Sequence, residues 1–475
     1  MSDEARGSSY YPVARTRALA GIRRALSEFL AVPTAVIVVF IVLALLTYIL
    51  DRSDFPTLRI IQITIGRTIF NDASSTESYL NTIATSVITA TSITISIVLL
   101  SVQQSAGALT TQVIDQFLRR RSNQFTFGFF IGLSLYTLLI LGTVGPTFNP
   151  VYGATLAFIL TGVALYLLLL LLYTTINQTR PSVIIQAIHD DILAARKRQH
   201  PLLSRTRRSS EYKGKVSKVV RADDYGFVTN VDLDVLREAL AKSKSEVEVV
   251  LLVSIGTFVA FRDELAEIRV EESGDLLDIE PAVHKAITLE DQRNLEIDPA
   301  YGIGQIWNIA WSSLSTAKSN PAPAILGVHS LRDVLARLSI DERPGKLEKG
   351  QPMPVVYTDS VRADLLDAIA SLAVSASDSM QHEAFAEILR TFAVMLDRLS
   401  PDLQDRAENL IMRLLSALGD QVLSVELDSA LGALVGALDR VGKPDAATAV
   451  RQALADLRLS VGRLGSRSTR VPATH

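Results

Sequence analysis

The regularly spaced residues with most to offer chemically are hydroxyls. Between Leu80 and Ser105, the residues Thr82, Thr85, Ser86, Thr89, Ser92 and Ser96 fall on one stripe at the helical repeat. Two roles fit such a stripe. Small hydroxyl side chains let membrane helices approach one another and bond the preceding turn or a neighbour. Alternatively, an oligomer that sets the helix around an axis would make a hydroxyl-lined, weakly selective water path. Gln103 and Gln104 follow the stripe, and the helical pattern runs on to Arg121.

Other chemistry is scarce. The six histidines (His189, His200, His284, His329, His382, His475) include no pair at helical ligand spacing, and there is no cysteine. That excludes disulfides, thiolate metal sites and a cysteine nucleophile. No G-x-x-x-x-G-K-[ST] phosphate loop and no G-x-S-x-G elbow occurs. The pair Gly302-Ile303-Gly304 lacks the third glycine of a dinucleotide site. No catalytic residue, metal ligand or cofactor is assigned, and the chain is expected not to be an enzyme.

The elements that carry the stripe follow from charge. Of 475 residues, 48% are apolar and 20% charged, with 47 basic against 50 acidic side chains and a net charge of −3. Soluble chains carry ~25% charged residues. The near-balance argues against a nucleic-acid partner. Through Arg180 there are twelve arginines, no lysine and eight acidic residues, and the remainder is net acidic. Three windows hold no charge at all: Phe29–Leu50, Ser78–Ile114 and Ser122–Thr179. A bilayer core ~30 Å thick takes about 20 apolar helical residues. Spans are therefore predicted at Val32–Leu50, Leu80–Val102, Phe125–Val144 and Val151–Tyr173, the last two parted by Gly145-Pro146-Thr147-Phe148-Asn149-Pro150. None contains an ionisable residue, which argues against proton coupling and voltage sensing.

Arginine-rich flanks set the orientation. Arg15, Arg17, Arg23 and Arg24 precede the first span, Arg119, Arg120 and Arg121 follow the second, and Arg196, Lys197 and Arg198 lie beyond the fourth. All then fall on the cytoplasmic side, with both termini inside a bacterial plasma (inner) membrane. The last two clusters are also candidates for contact with anionic lipid. A cleaved signal peptide fits poorly, since the charged leader is long and no small-x-small site follows. Phe55–Ile69 alternates apolar and polar residues, as an extracytoplasmic strand or an interfacial helix would.

Seven regions are expected: a basic N-terminus (1–31), a four-span membrane domain (32–180), a basic juxtamembrane segment (181–213), a β-rich domain with two closing helices (214–340), a linker (341–357), a helical C-terminal domain (358–461) and a disordered tail (462–475). In the β-rich part, Lys215–Val220, Phe227–Val231, Glu246–Ser254 and Thr257–Phe261 read as strands and Val235–Ala241 as a short helix. The order is similar to that of small barrel-sandwich domains, without a lysine placed for a swinging cofactor. The acidic residues from Asp263 to Glu280 read as a solvated face, with divalent-cation binding the lesser alternative. Trp307 and Trp311, four apart on a helix after Asp298-Pro299, read first as packing residues and second as a ligand stack. Leucine-rich periodicity from Thr358 to Leu459 predicts stacked helical hairpins.

Several segments together resemble a bacterial family of predicted membrane proteins, domain of unknown function 2254. They are Leu80–Thr89, Ser96–Gln103, Phe117–Gln124, Gly226-Phe227-Val228, Gly256-Thr257-Phe258-Val259 and Asp298–Ile303, within a likeness running roughly from Ser27 to Leu338. The family usually has an Asn-Asp-Pro-x-Thr-Ala segment where this chain reads Ser319–Ala324, an arginine at Gly304 and an aspartate at Asn308. The resemblance implies the membrane topology and carries no biochemical activity. The fold class expected is thus an α-helical membrane domain of four spans plus a cytoplasmic α+β region, a small β-barrel-like domain followed by helical hairpins. The expected partners are the lipid bilayer, further copies of the chain and a cytoplasmic protein. The function expected is an oligomeric channel-like or membrane-regulatory component, or else a non-conducting scaffold whose helical C-terminal domain binds that protein.

Overall fold

Long uncharged runs of Val, Ile and Leu must satisfy their backbone groups internally if no water reaches them, and helices do so. The computed structural model describes residues 12–53, 72–108, 121–178, 180–210, 215–243, 246–270, 279–315, 320–341, 352–418 and 421–460, and the chain divides after Arg180 into two compact units.

The first unit contains α1 (Pro12–Arg52), α2 (Ala73–Ala108), α3 (Arg121–Leu141) and α4 (Val151–Gln178). Among the described residues, three helices are long and apolar enough to cross a membrane: Leu30–Arg52, Arg121–Leu141 and Val151–Thr174. The fourth expected span, Leu80–Val102, lies inside α2, which is not counted among those three. α3 is the central helix, with 61% of its apolar window buried against 22% for α1 and 17% for α4. The outer helices turn Val39, Leu45, Phe158, Leu165 and Leu169 outward. Soluble monomers rarely expose contiguous apolar patches beyond a few hundred Å². Such a surface suits hydrocarbon.

The interior of this unit rests on close approach. Gly128 and Gly132 of α3 stand four residues apart, as in the small-xxx-small pattern of membrane helices. A Cβ at Gly128 would lie 2.8 Å from the Pro33 Cα, and one at Gly132 would lie 2.5 Å from the Phe40 ring. Phe40 meets Phe129 edge to face at 5.2 Å between ring centroids. The fully buried Tyr136 donates its hydroxyl to the Gly153 carbonyl at 3.0 Å, and Thr47 Oγ1 lies 3.3 Å from the same phenol oxygen.

The far end is clamped by a carboxylate. Asp51, next to last in α1, accepts the backbone N–H of Tyr152 at 2.8 Å and of Gly153 at 2.9 Å. Those N–H groups belong to the first turn of α4 and have no partner within their own helix. Asp51 therefore caps α4 from another helix. The tight turn expected between the last two spans is present, closed by reciprocal bonds between Gly145 and Phe148. Replacing Asp51 by alanine is expected to cost about 1–2 kcal/mol, the worth of an N-cap, read as a lower thermal midpoint of the detergent-solubilised chain.

The second unit opens with α5 (Pro181–Arg205). Then come β1 (Lys215–Arg221), β2 (Gly226–Val231), α6 (Leu233–Lys242), β3 (Val247–Leu251), β4 (Phe258–Val259), β5 (Glu264–Val270), α7 (Ile279–Ala286), β6 (Ile287–Glu290), α8 (Pro299–Leu314), α9 (Ala322–Asp341) and β7 (Val355–Tyr357). The strands form two sheets around one apolar core, ordered β1-β5-β3-β7 and β4-β2-β6. Among these strands all pairings are antiparallel except β3 with β7. Among the described residues the strands are thus split between two separate sheets, and these do not join into the barrel-like domain suggested by their order.

Two elements differ from expectation. The acidic run contains β5, a central strand that buries Leu265, Ala266, Ile268 and Val270 between partly or fully exposed Glu264, Glu267 and Arg269. From Ala266 to Val270 its charges occupy one face and its apolar residues the other, a period of two that the acidic composition masks. The segment read as a linker ends in β7, whose three residues are buried beside β3.

The chain ends in α10 (Val361–Asp378), α11 (His382–Met395), a 3-10 turn (Leu396–Arg398), α12 (Pro401–Leu418), α13 (Val425–Arg440) and α14 (Pro444–Ser460). Their buried stripes are those the leucine periodicity indicates, among them Leu365, Ile369, Phe385, Phe392, Leu427, Leu431 and Leu434. Gly442, at φ +76°, makes the last turn in the left-handed region that glycine enters without steric cost. The expected tail and the connection Phe55–Ile69 lie outside the described residues.

Candidate functional site

Within the first unit, α2 buries Leu80, Ile83, Ala84 and Val87 and leaves Thr82, Thr85, Ser86, Thr89, Ser92 and Ser96 exposed. The helix thus presents its apolar side inward and its hydroxyl stripe outward. Thr82 donates to the Ser78 carbonyl at 2.8 Å, Thr89 to that of Thr85 at 2.7 Å, and Ser96 to that of Ser92 at 3.0 Å. Each of these hydroxyl protons is bonded to the preceding turn, the arrangement that lets a polar side chain sit at an apolar surface at small cost.

The basic residues separate into distinct environments. Arg119 and Arg120 lie outside the described residues, and Arg121 is exposed at the start of α3. Lys197 and Arg198 are exposed on α5, and Arg198 donates to the Glu296 carbonyl at 2.6 Å. Arg196 is a correction to the expectation of lipid contact. It is only 7% exposed and forms a two-pronged ion pair with Asp359, at 2.9 and 2.5 Å. A guanidinium held in this fork inside the second unit does not reach a headgroup.

A second site lies in that unit, where segments far apart in sequence converge. Asp298 caps α8, accepting the Tyr301 N–H at 3.0 Å through one carboxylate oxygen and Arg293 Nε at 2.6 Å through the other. Arg293 also lies over the Tyr301 ring, 5.0 Å from its centroid. Gly256 fits against this pair at φ +91°. A Cβ there would meet the Asp298 carboxylate at 2.4 Å and Arg293 at 2.6 Å, so only glycine fits. Gly302 is similarly pressed by Ile192 of α5, 2.4 Å from a Cβ position.

Beside this junction opens a cleft of about 490 Å³ between the Ser254–Thr257 loop, α8 and α10. One wall carries Ile255, Ile303 and Trp307, and the other Ser360, Asp364 and Asp367. Trp307 donates its indole N–H to Ser371 at 2.6 Å and stacks on Trp311, with ring centroids 6.0 Å apart. Trp307 is half-buried and packs through this bond against α10, whereas Trp311 is exposed. Burial holds the Asp364 carboxyl above the ordinary carboxylate range, and the charges of Asp367 and Asp359 push the same way against the Ser360 hydroxyl and Arg406.

Of these residues, the sequence brings forward Gly256, Asp298, Gly304 and Trp307 but not Asp364 or Asp367. The two aspartates follow one another at three-residue spacing on an ordinary amphipathic helix, a pattern shared by any solvated face. No sequence signal separates them.

Outward-facing apolar helices joined by glycine contacts fit a membrane protein, and the second unit is of mixed helices and strands. The chain belongs to the family described as Predicted membrane protein (DUF2254), whose profile matches residues 27–391, through both sheets and into α11. No curated protein matches the chain, and neither does any solved structure.

Proposed function

We propose that the protein is an oligomeric, channel-like or membrane-regulatory component in which the hydroxyl stripe of α2 meets its counterparts in other copies. The observation that carries this reading is that all six stripe residues are exposed while the opposite side of α2 is buried. A lipid-facing helix has no need of aligned hydroxyls, whereas a helix facing identical helices gains close approach from them. In this reading α2 is the fourth span. The helix has 36 residues, about 54 Å at 1.5 Å per residue, which is enough to cross a bilayer and project beyond it. Both termini then lie in the cytoplasm of a bacterial inner membrane, as the arginine flanks suggest.

The absence of native cysteine makes a direct test simple. Thr89→Cys is expected to give a disulfide-linked dimer when membranes are oxidised, and Leu133→Cys, buried in the core of the unit, is expected to give none. A Thr89→Cys chain that stays uncrosslinked, together with a monomer in detergent, would remove the oligomer. Planar-bilayer conductance with Thr85→Val and Thr89→Val then separates a channel from a silent assembly.

A second reading, a non-conducting scaffold, draws on the helical hairpins. Val425 is 82% exposed and Leu459 68%, and an ion pair of 2.8 Å between Asp428 and Arg458 brings their helix ends together. Apolar side chains exposed side by side are where a protein partner would dock.

A further inference from the structure

We infer that the cleft between α8 and α10 binds a small organic cation, a protonated amine or quaternary ammonium on a short apolar body. The inference is independent of the oligomer proposed above, because every residue it uses lies in the second unit.

The sign of the ligand's charge follows from the ion pairs. Asp359 is held by Arg196, and Asp367 by Arg406, whose Nε reaches it at 3.0 Å. Asp364 lies between them in sequence and accepts the Ser360 hydroxyl at 2.9 Å, with no basic group at ion-pair distance among the described residues. Arg293, the basic residue of the lining, is committed to Asp298 and to the Tyr301 ring. An anion entering the cleft would meet carboxylates with no uncommitted cation to receive it. A cation would compensate Asp364, whose charged form burial and neighbouring carboxylates penalise.

The shape and the opposite wall specify an organic cation over a metal ion. No group of three or more His, Asp or Glu among the described residues is placed to hold a metal. Trp307 lines the cleft, and an indole is the best aromatic partner for an alkylammonium. Ile255 and Ile303 add apolar surface for the ligand's carbon body. The volume of about 490 Å³ lies in the range of small-molecule sites. Gly304 leaves that volume open, because a Cβ built on it meets nothing within 4 Å.

That open glycine gives a variant that blocks the cleft without disturbing its walls. Gly304→Leu fills the space and also favours the helix, since glycine is a poor helix former. Asp364→Asn removes the charge and relieves a penalised carboxylate, so it is expected to keep its fold at pH 7. The two tryptophans of the whole chain, Trp307 and Trp311, are the built-in reporter. The detergent-solubilised full chain is titrated with putrescine, spermidine and choline, with sodium chloride and sodium acetate at matched ionic strength as controls. At least one organic cation is expected to give a saturable fluorescence change, weakened about tenfold in Asp364→Asn and abolished in Gly304→Leu. No saturable change with any of the three cations would overturn the inference, as would an equal response in Asp364→Asn. Thermal unfolding of each variant establishes its fold, and should Gly304→Leu unfold, Asp364→Asn alone decides.

Discussion

Replacing Asp359 by alanine is expected to lower the stability of the second unit by about 3–5 kcal/mol, the cost of leaving a buried charge without its partner. Arg196 is 7% exposed and Asp359 16%, and the two share a fork of hydrogen bonds at 2.9 and 2.5 Å. Arg196 Nη1 also donates to Gln199 Oε1 at 3.2 Å, and Gln199 Nε2 donates to the Ile297 carbonyl at 3.0 Å. Removing the carboxylate therefore takes from a buried guanidinium the charge that balances it. Removing both charges is a different matter, because apolar side chains of similar volume replace a buried pair at little cost. Arg196→Met with Asp359→Leu is thus expected to be more stable than Asp359→Ala. Tryptophan fluorescence during denaturation reads this unit selectively, since both tryptophans belong to α8. Equal midpoints for Asp359→Ala and the unaltered chain would show that the pair does not hold α5 to the segment before α10.

In the first unit the largest effect is expected at Gly128. Valine there is expected to cost about 3 kcal/mol, the upper end for overpacking, because its Cβ would lie 2.8 Å from the Pro33 Cα and backbone cannot step aside. Gly132 differs in kind, since its near neighbour is the Phe40 side chain at 2.5 Å. Gly132→Ala should therefore be partly rescued by Phe40→Leu, while no trimming of side chains rescues Gly128→Val. Thermal midpoints of the purified variants in detergent, followed by aggregation, test the contrast. Rescue of both positions by Phe40→Leu, or of neither, would mean that α1 and α3 do not meet as described.

Much of the architecture was legible because it depends on local composition. Uncharged windows of twenty or more residues leave the chain little choice but helix, and three helices apolar and long enough to cross a membrane stand among the described residues. The turn at Gly145–Pro150, the helix start after Asp298-Pro299 and the leucine stripes of the C-terminal hairpins are likewise written over a few residues each. β5 was not legible, because its charged face dominates the composition and its apolar face is recognised as core only when β1 and β3 flank it. β7 was hidden for a similar reason. Three residues after a proline-containing stretch carry no periodicity, and they become a strand only beside β3.

The amino-acid sequence by itself determined which parts of this chain avoid water and that α2 carries hydroxyls in a row, since hydropathy and helical period are properties of neighbours along the chain. The tertiary structure alone decided which way that row faces, that Arg196 is buried against Asp359, and that Gly256, Gly304, Trp307 and Asp364 gather at one cleft. The physical reason is one of range. An ion pair spanning 163 residues, or a glycine pressed by a carboxylate 42 positions away, is an energy between segments, and no local window contains both partners.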